Sequence, residues 1–177
     1  VAYGIPFPPV KERFERLEES IKVIRALWTE ESATFDGKYY QLAGANLLPK
    51  PDAGRPPILI GGGGEKKTLK LAAMYAAEWN SVNVTPEVYA HKVQVLEQHC
   101  ETVGRDPKTI RKSMMNFGML GPSQAHIEAA VAKRRAQFGA AAAGQSIAEF
   151  LAASRNRGSI AGSTDEVVEQ LGRLAEL

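Results

Sequence analysis

The sequence predicts an α/β fold laid over a mainly parallel sheet, and three observations carry that prediction. Short apolar runs alternate with helical patterns along the chain, the first such run ends in four consecutive glycines, and helix follows strand in the order that right-handed βα crossovers require. Three strands cannot close a barrel. The order fits either a small open sheet or a segment of a (β/α)₈ barrel, whose usual length of roughly 250 residues exceeds the 177 present. A start in a proline-rich loop and a stop inside a helical pattern favour the segment, expected as one incomplete barrel domain over 1–177.

Taken in order, residues 1–10 hold Pro6, Pro8 and Pro9 around Phe7 and read as an extended lead-in. Residues 11–29 place Phe14, Leu17, Ile21, Ile24 and Trp28 at three- and four-residue steps, with charges on the other faces, which predicts an amphipathic helix. Asp36-Gly37 between Phe35 and Tyr39 predicts a β-hairpin turn inside an insertion at about 31–55. Tyr39 and Tyr40 are adjacent, so at most one can face a given site, and packing is the simpler reading of both.

The chain is organised around residues 56–80. Pro56 and Pro57 stop what precedes, Ile58, Leu59 and Ile60 form a short run suited to a buried parallel strand, and Leu69, Ala72, Ala73 and Ala76 recur at helical spacing. Between strand and helix stand Gly61, Gly62, Gly63 and Gly64. Without Cβ atoms, their backbone N–H groups can face an anion beside the positive end of the helix dipole, so the loop is expected to seat a phosphate. The Walker pattern fails because Lys66 precedes Lys67 and Thr68, and the dinucleotide fingerprint fails because Lys66 stands where its last glycine belongs.

A second strand is expected over 78–84 and a helix from Pro86, with Tyr89, Val93, Leu96, Cys100 and Val103 as its buried stripe, which makes Cys100 a small core residue. Residues 110–120 read as a third strand carrying Met115, Phe117 and Met119 at alternate positions; Ser113 and Asn116 have no assigned role. Residues 123–143 read as a helix with Ile127, Val131 and Phe138 on one face, and Ile147, Phe150 and Leu151 suggest another. Ser163 and Glu166 form a capping box for a last helix with Val167, Leu171 and Leu174.

Composition narrows the functional classes. The net charge of +2 comes from 22 basic and 20 acidic residues spread along the chain, which favours no nucleic acid and no membrane as partner. Cys100 is the only cysteine, His91, His99 and His126 lack a second ligand at useful spacing, and no metal site is expected. With no leader and no long apolar run, the expected location is the cytoplasm.

Several stretches together resemble the luciferase-like oxidoreductases: Tyr3-Gly4-Ile5-Pro6-Phe7-Pro8-Pro9, Glu12-Arg13-Phe14, Leu17-Glu18-Glu19, Ala26-Leu27-Trp28, Phe35-x-Gly37-x-Tyr39-Tyr40, Lys50-Pro51, the 57–64 block with Thr68-Leu69, and Gly162-Ser163-x-x-Glu166-Val167. Within that superfamily the sequence looks closest to the branch of monooxygenase-like enzymes that use F420, a deazaflavin. The resemblance implies a partial TIM (β/α)₈ barrel, roughly strands five to seven with their helices, with the early strands before Val1 and the last strand after Leu177. It also implies an oxidoreductase that passes a hydride between coenzyme F420 and a small organic substrate. The alternatives are an FMN-dependent monooxygenase and a flavin-binding member without catalytic activity. The cofactor phosphate is expected at Gly61, Gly62, Gly63 and Gly64, with Glu65 and Thr68 in the following turn and Asn80 at the end of the next strand. Lys66, Lys67 and Lys70 are candidates for the acidic tail of the deazaflavin. Proton-transfer residues in similar enzymes lie on early strands, so the catalytic acid or base is expected outside this chain, which would be inactive alone. Ala77 departs from the aspartate usual in similar proteins. Unpaired strand edges would favour a homo-oligomer.

Overall fold

The computed structural model describes residues 3–52, 55–139 and 144–176. It divides into two compact units, Val1–Ile58 with Tyr75–Ala77, and Leu59–Met74 with Glu78–Leu177.

In the first unit, helix α1 (Val10–Thr29) fills the expected span. Its apolar stripe is only half covered: Ile21 is buried, while Leu17 and Ile24 are each 39% exposed. Strands β1 (Ala33–Asp36) and β2 (Gln41–Ala45) form the expected antiparallel hairpin. Asp36 pairs with Gln41, so the connection is the four residues 37–40 and not a two-residue turn at Asp36-Gly37. The helix holds this turn: the Glu19 carboxylate accepts the backbone N–H groups of Lys38 (3.0 Å), Tyr39 (2.8 Å) and Tyr40 (3.2 Å). Tyr39 packs down on α1, its hydroxyl donating to Glu15 at 2.6 Å and its ring lying 4.4 Å below the Arg16 guanidinium.

Desolvation pushes the Glu19 carboxyl up, but the three backbone N–H groups and Lys22 outweigh it and hold it below its ordinary 4.5. Glu15 is lowered by the Tyr39 hydroxyl first and by Lys38 second. A depressed folded pKa contributes stability that is complete above the unfolded value and disappears as pH falls through the folded one. The hairpin should therefore stay docked above pH 4.5 and loosen progressively below it. Amide exchange at Lys38, Tyr39 and Tyr40 measures this, and protection unchanged well into the acid range would contradict it.

The second unit contains the parallel strands. β3 (Leu59–Gly61), β4 (Glu78–Val82) and β5 (Arg111–Met115) form one sheet in that order, with α2 (Thr68–Tyr75) and α3 (Pro86–Thr102) as the intervening helices. β6 (Gly118–Leu120) pairs in parallel with β7 (Ile160–Gly162), and the two sheets join into no closed barrel among the described residues. β7 is a strand that the sequence reading missed, so a parallel strand follows the third one inside the chain, where only the cap of a helix was expected. α4 (Gln124–Phe138) packs on β6, and α5 (Ile147–Asn156) and α6 (Thr164–Ala175) pack on β7. The alanine-rich end expected for the α4 helix, 140–143, lies outside the described residues.

Alternation gives the β3-β4-β5 sheet two unlike faces. Ile60, Trp79 and Ser81 point to the buried side, where the Trp79 ring stacks on Tyr89 of α3 with centroids 5.6 Å apart. Leu59, Glu78, Asn80, Val82, Ser113 and Met115 share the other face, on which Leu59, Val82 and Met115 are exposed. The expected third strand is broken at Asn116. Met115 is 49% exposed on the open face, whereas Met119 is 2% exposed in a core with Ile127, Val131, Phe150 and Ala161. Four residues apart in a regular strand they would share a face, so the chain slips by one position between them. Its first half pairs with β4 and its second with β7, a stagger of the kind that tilted barrel strands require.

β4 stops at Val82 and not at Val84, because Asn83 turns into the left-handed region with φ 48°. Its side chain ties the break together, donating to Arg157 O at 2.8 Å and accepting from Ser159 Oγ at 3.2 Å, while its N–H donates to Met115 O at 2.8 Å. Asn83→Ala should destabilise more than Asn83→Gly, by about 1–2 kcal/mol, because both lose the side-chain bonds but only alanine pays for the left-handed backbone. Denaturant melts of the two variants decide this; equal losses would remove the backbone from the explanation.

Candidate functional site

The residues between β3 and α2 lie at the carboxyl end of a parallel strand, where α/β folds place their ligands. Gly61 is the last residue of β3 and pairs with Asn80; a Cβ on it would meet nothing nearer than Asn80 O at 4.0 Å. Gly62 takes φ +114°, which a side chain tolerates poorly, and its N–H donates to Asn80 O at 3.0 Å. Gly62 is thus required by the turn itself, and a Cβ there would strain the backbone whatever the loop binds.

From Gly62 onward, each carbonyl is held by a donor of the protein. Gly62 O accepts the indole N–H of Trp79 at 2.9 Å, Gly63 O the ammonium of Lys92 at 2.7 Å, and Gly64 O the N–H of Leu69 at 3.0 Å. His99 Nε2 lies 2.8 Å from Glu65 O, and since a carbonyl only accepts, that nitrogen carries the proton. In a trans peptide the N–H points opposite to the C=O of the same plane. Fixing the carbonyls of Gly62 and Gly63 therefore aims the N–H groups of Gly63 and Gly64 away from Trp79 and Lys92, and these two N–H groups have no acceptor among the described residues. Two successive N–H groups without a protein acceptor are donors of the kind an anion can take up. Thr68 opens α2 with its side chain against this loop, its Oγ1 2.9 Å from where a Cβ of Gly64 would stand.

The Glu65 carboxylate turns to α3, 3.2 Å from Lys92 and 3.3 Å from His91. The Lys92 bond is the main cause that holds it below the ordinary carboxylate value. Its side chain is therefore part of the loop's support, and its negative charge suits no direct contact with phosphate. Asn80 belongs to a chain across β4 and β5: Asn80 Nδ2 donates to Ser113 Oγ at 2.9 Å, Ser113 donates to Glu78 at 2.6 Å, and Arg111 pairs with the other Glu78 oxygen. Glu78 is held low by the Ser113 hydroxyl first and by Arg111. An ionised carboxylate accepts only, so Ser113 must spend its proton on it and receive an N–H from Asn80. Asn80 Oδ1 is left as the acceptor on the open face beside Gly61.

Gly62, Gly63, Gly64 and Glu65 thus lie in one loop between Gly61 at the end of β3 and Thr68 at the start of α2, with Asn80 alongside. Lys66, Lys67 and Lys70 are exposed, and the cation against the loop is instead Lys92, whose side chain is 14% exposed. Trp79, Lys92 and His99 were missed by sequence reasoning; Lys92 had a trace in the sequence, three residues after Tyr89 on the α3 face that carries the buried stripe. Among the described residues no cluster of ligating side chains could hold a metal ion, and no helix is long and apolar enough to cross a membrane.

Fold and site together define a class: a parallel βα array with a glycine loop at the carboxyl end of a strand, two of whose N–H groups have no acceptor among the described residues. The sequence model of the luciferase-like monooxygenase family matches residues 1–176. The chain belongs to that family. It is 46% identical over 110 residues to an F420-dependent glucose-6-phosphate dehydrogenase of Mycolicibacterium fortuitum, a match covering 59% of this chain and 31% of the enzyme. The corresponding enzyme of Kineococcus radiotolerans is 42% identical over 62 residues, 35% of this chain and 18% of that one. An F420-dependent secondary alcohol dehydrogenase, solved with an F420-acetone adduct, superposes with TM-score 0.78 and 25% identity over 99% of this chain and 57% of its own. The F420-dependent tetrahydromethanopterin reductase of Methanopyrus kandleri shares the fold, with TM-score 0.70 and 20% identity over 92% of this chain and 55% of its own. The chain thus spans little more than half of these structures.

Proposed function

We propose that this chain forms the phosphate-holding part of an oxidoreductase that passes a hydride between coenzyme F420 and a small organic substrate. The observation that supports this best is the pair of N–H groups at Gly63 and Gly64, left without protein acceptors while the carbonyls of their peptide planes are tied down. Such a loop fits a phosphate ester, and dehydrogenases that the chain resembles in sequence are named for F420.

When bound, the deazaflavin supplies the hydride-carrying carbon. The residues of this chain bind and orient. The N–H groups of Gly63 and Gly64 hold the phosphate, Lys92 behind Gly63 adds positive charge, and the N-terminus of α2 contributes its dipole. Gly61 leaves room above the strand end, and Asn80 Oδ1 accepts a hydrogen from a hydroxyl or ring N–H lying there. No residue of this chain is assigned a proton-transfer role.

Titration of the intact protein with F420 and with FMN at two salt concentrations tests the reading, followed by turnover with secondary alcohols and sugar phosphates. F420 should bind more tightly, and its affinity should fall with salt because its acidic tail meets lysines at the surface. Tighter FMN binding, or bound F420 that no substrate reduces, would overturn it.

A further inference from the structure

We infer that Lys92 is a positioning residue for the cofactor phosphate, acting through the peptide plane between Gly63 and Gly64. The inference rests on the phosphate reading of the loop. Lys92 follows buried Tyr89 by three residues on α3, and its side chain is 14% exposed. Its ammonium reaches back 29 residues to donate to Gly63 O at 2.7 Å and to Glu65 at 3.2 Å. The Gly63 carbonyl and the Gly64 N–H belong to one planar unit and point in opposite directions. Holding the first therefore holds the second, and a cation on the oxygen polarises the unit so that its N–H becomes a stronger donor. Neither glycine has a side chain to fix this plane, so without Lys92 it is free to turn.

Lysine suits this task better than a neutral donor. The charge lies behind the peptide, so it attracts an anion to the loop without occupying the position of the anion. Glu65 then sets the position of the ammonium and offsets part of its charge.

The test compares a phosphorylated ligand with the same chromophore lacking phosphate: 5-deazaflavin mononucleotide and 5-deazariboflavin, titrated into the intact protein and into Lys92→Met, Lys92→Arg and the double variant Lys92→Met with Glu65→Gln. The double variant removes the carboxylate that Lys92→Met would leave unpaired. The native protein should prefer the mononucleotide. Lys92→Met and the double variant should lose about tenfold of that preference, the scale of one charge-assisted hydrogen bond, with 5-deazariboflavin binding unchanged, and Lys92→Arg should recover part of it. If the native protein shows no preference for the phosphate, the phosphate reading itself fails. If the preference survives in both methionine variants, or if both ligands weaken equally, Lys92 does not position the phosphate and this inference fails.

Discussion

Replacing Trp79 by alanine should destabilise the protein by about 3–5 kcal/mol, the range for truncating a buried large aromatic residue. Trp79 is fully buried and stacks on Tyr89 at 13° between ring planes, so its removal opens a cavity between β4 and α3 that backbone shifts can fill only in part. Its indole N–H also holds Gly62 O, which no other aromatic side chain reproduces. Trp79→Phe should therefore separate two roles. It retains most of the apolar contact and should lose less stability than the alanine variant, but it leaves the Gly62 carbonyl without its donor and should weaken phosphate binding. Thermal melting alongside ligand titration measures both. A phenylalanine variant that binds like the native protein would mean that the indole serves packing alone.

The second large effect is expected in the glycine loop, and the structure separates two neighbours. At Gly62, φ +114° makes any Cβ strained, so Gly62→Ala should cost about 1–2 kcal/mol of stability whatever the ligand does. At Gly63 the backbone suits any residue, and a Cβ would meet only the flexible Lys92 stem at 3.0 Å. Gly63→Val should thus leave the melting temperature nearly unchanged and reduce affinity for the phosphorylated cofactor by about tenfold, by displacing Lys92 from Gly63 O. The reverse pattern, with Gly63→Val melting early and binding normally, would show that both glycines serve the turn.

What could be read in the sequence was whatever repeats locally. The α1 stripe, the glycine loop with Leu69 and Ala72 behind it, buried Cys100, and the Ser163 and Glu166 capping box all lie within a few residues of their own cause. β7 escaped because three residues, Ile160–Gly162, are too few to show a period and stand between a glycine turn and a helix cap. The Asn116 slip escaped because Met115 and Met119 keep an even spacing that a regular strand would honour. Trp79 and Lys92 escaped for a different reason: their bonds to the loop span 17 and 29 residues, and the sequence around either one carries no mark of a carbonyl brought there by the fold.

In the proposed reading, the backbone of Gly63 and Gly64 receives the cofactor phosphate. A crystal structure of the intact protein with F420 bound tests it most directly. Phosphate oxygens are expected at about 2.7–3.2 Å from both glycine nitrogens, with the Lys92 ammonium still on Gly63 O. A phosphate bound elsewhere, with those two N–H groups facing solvent, would contradict it.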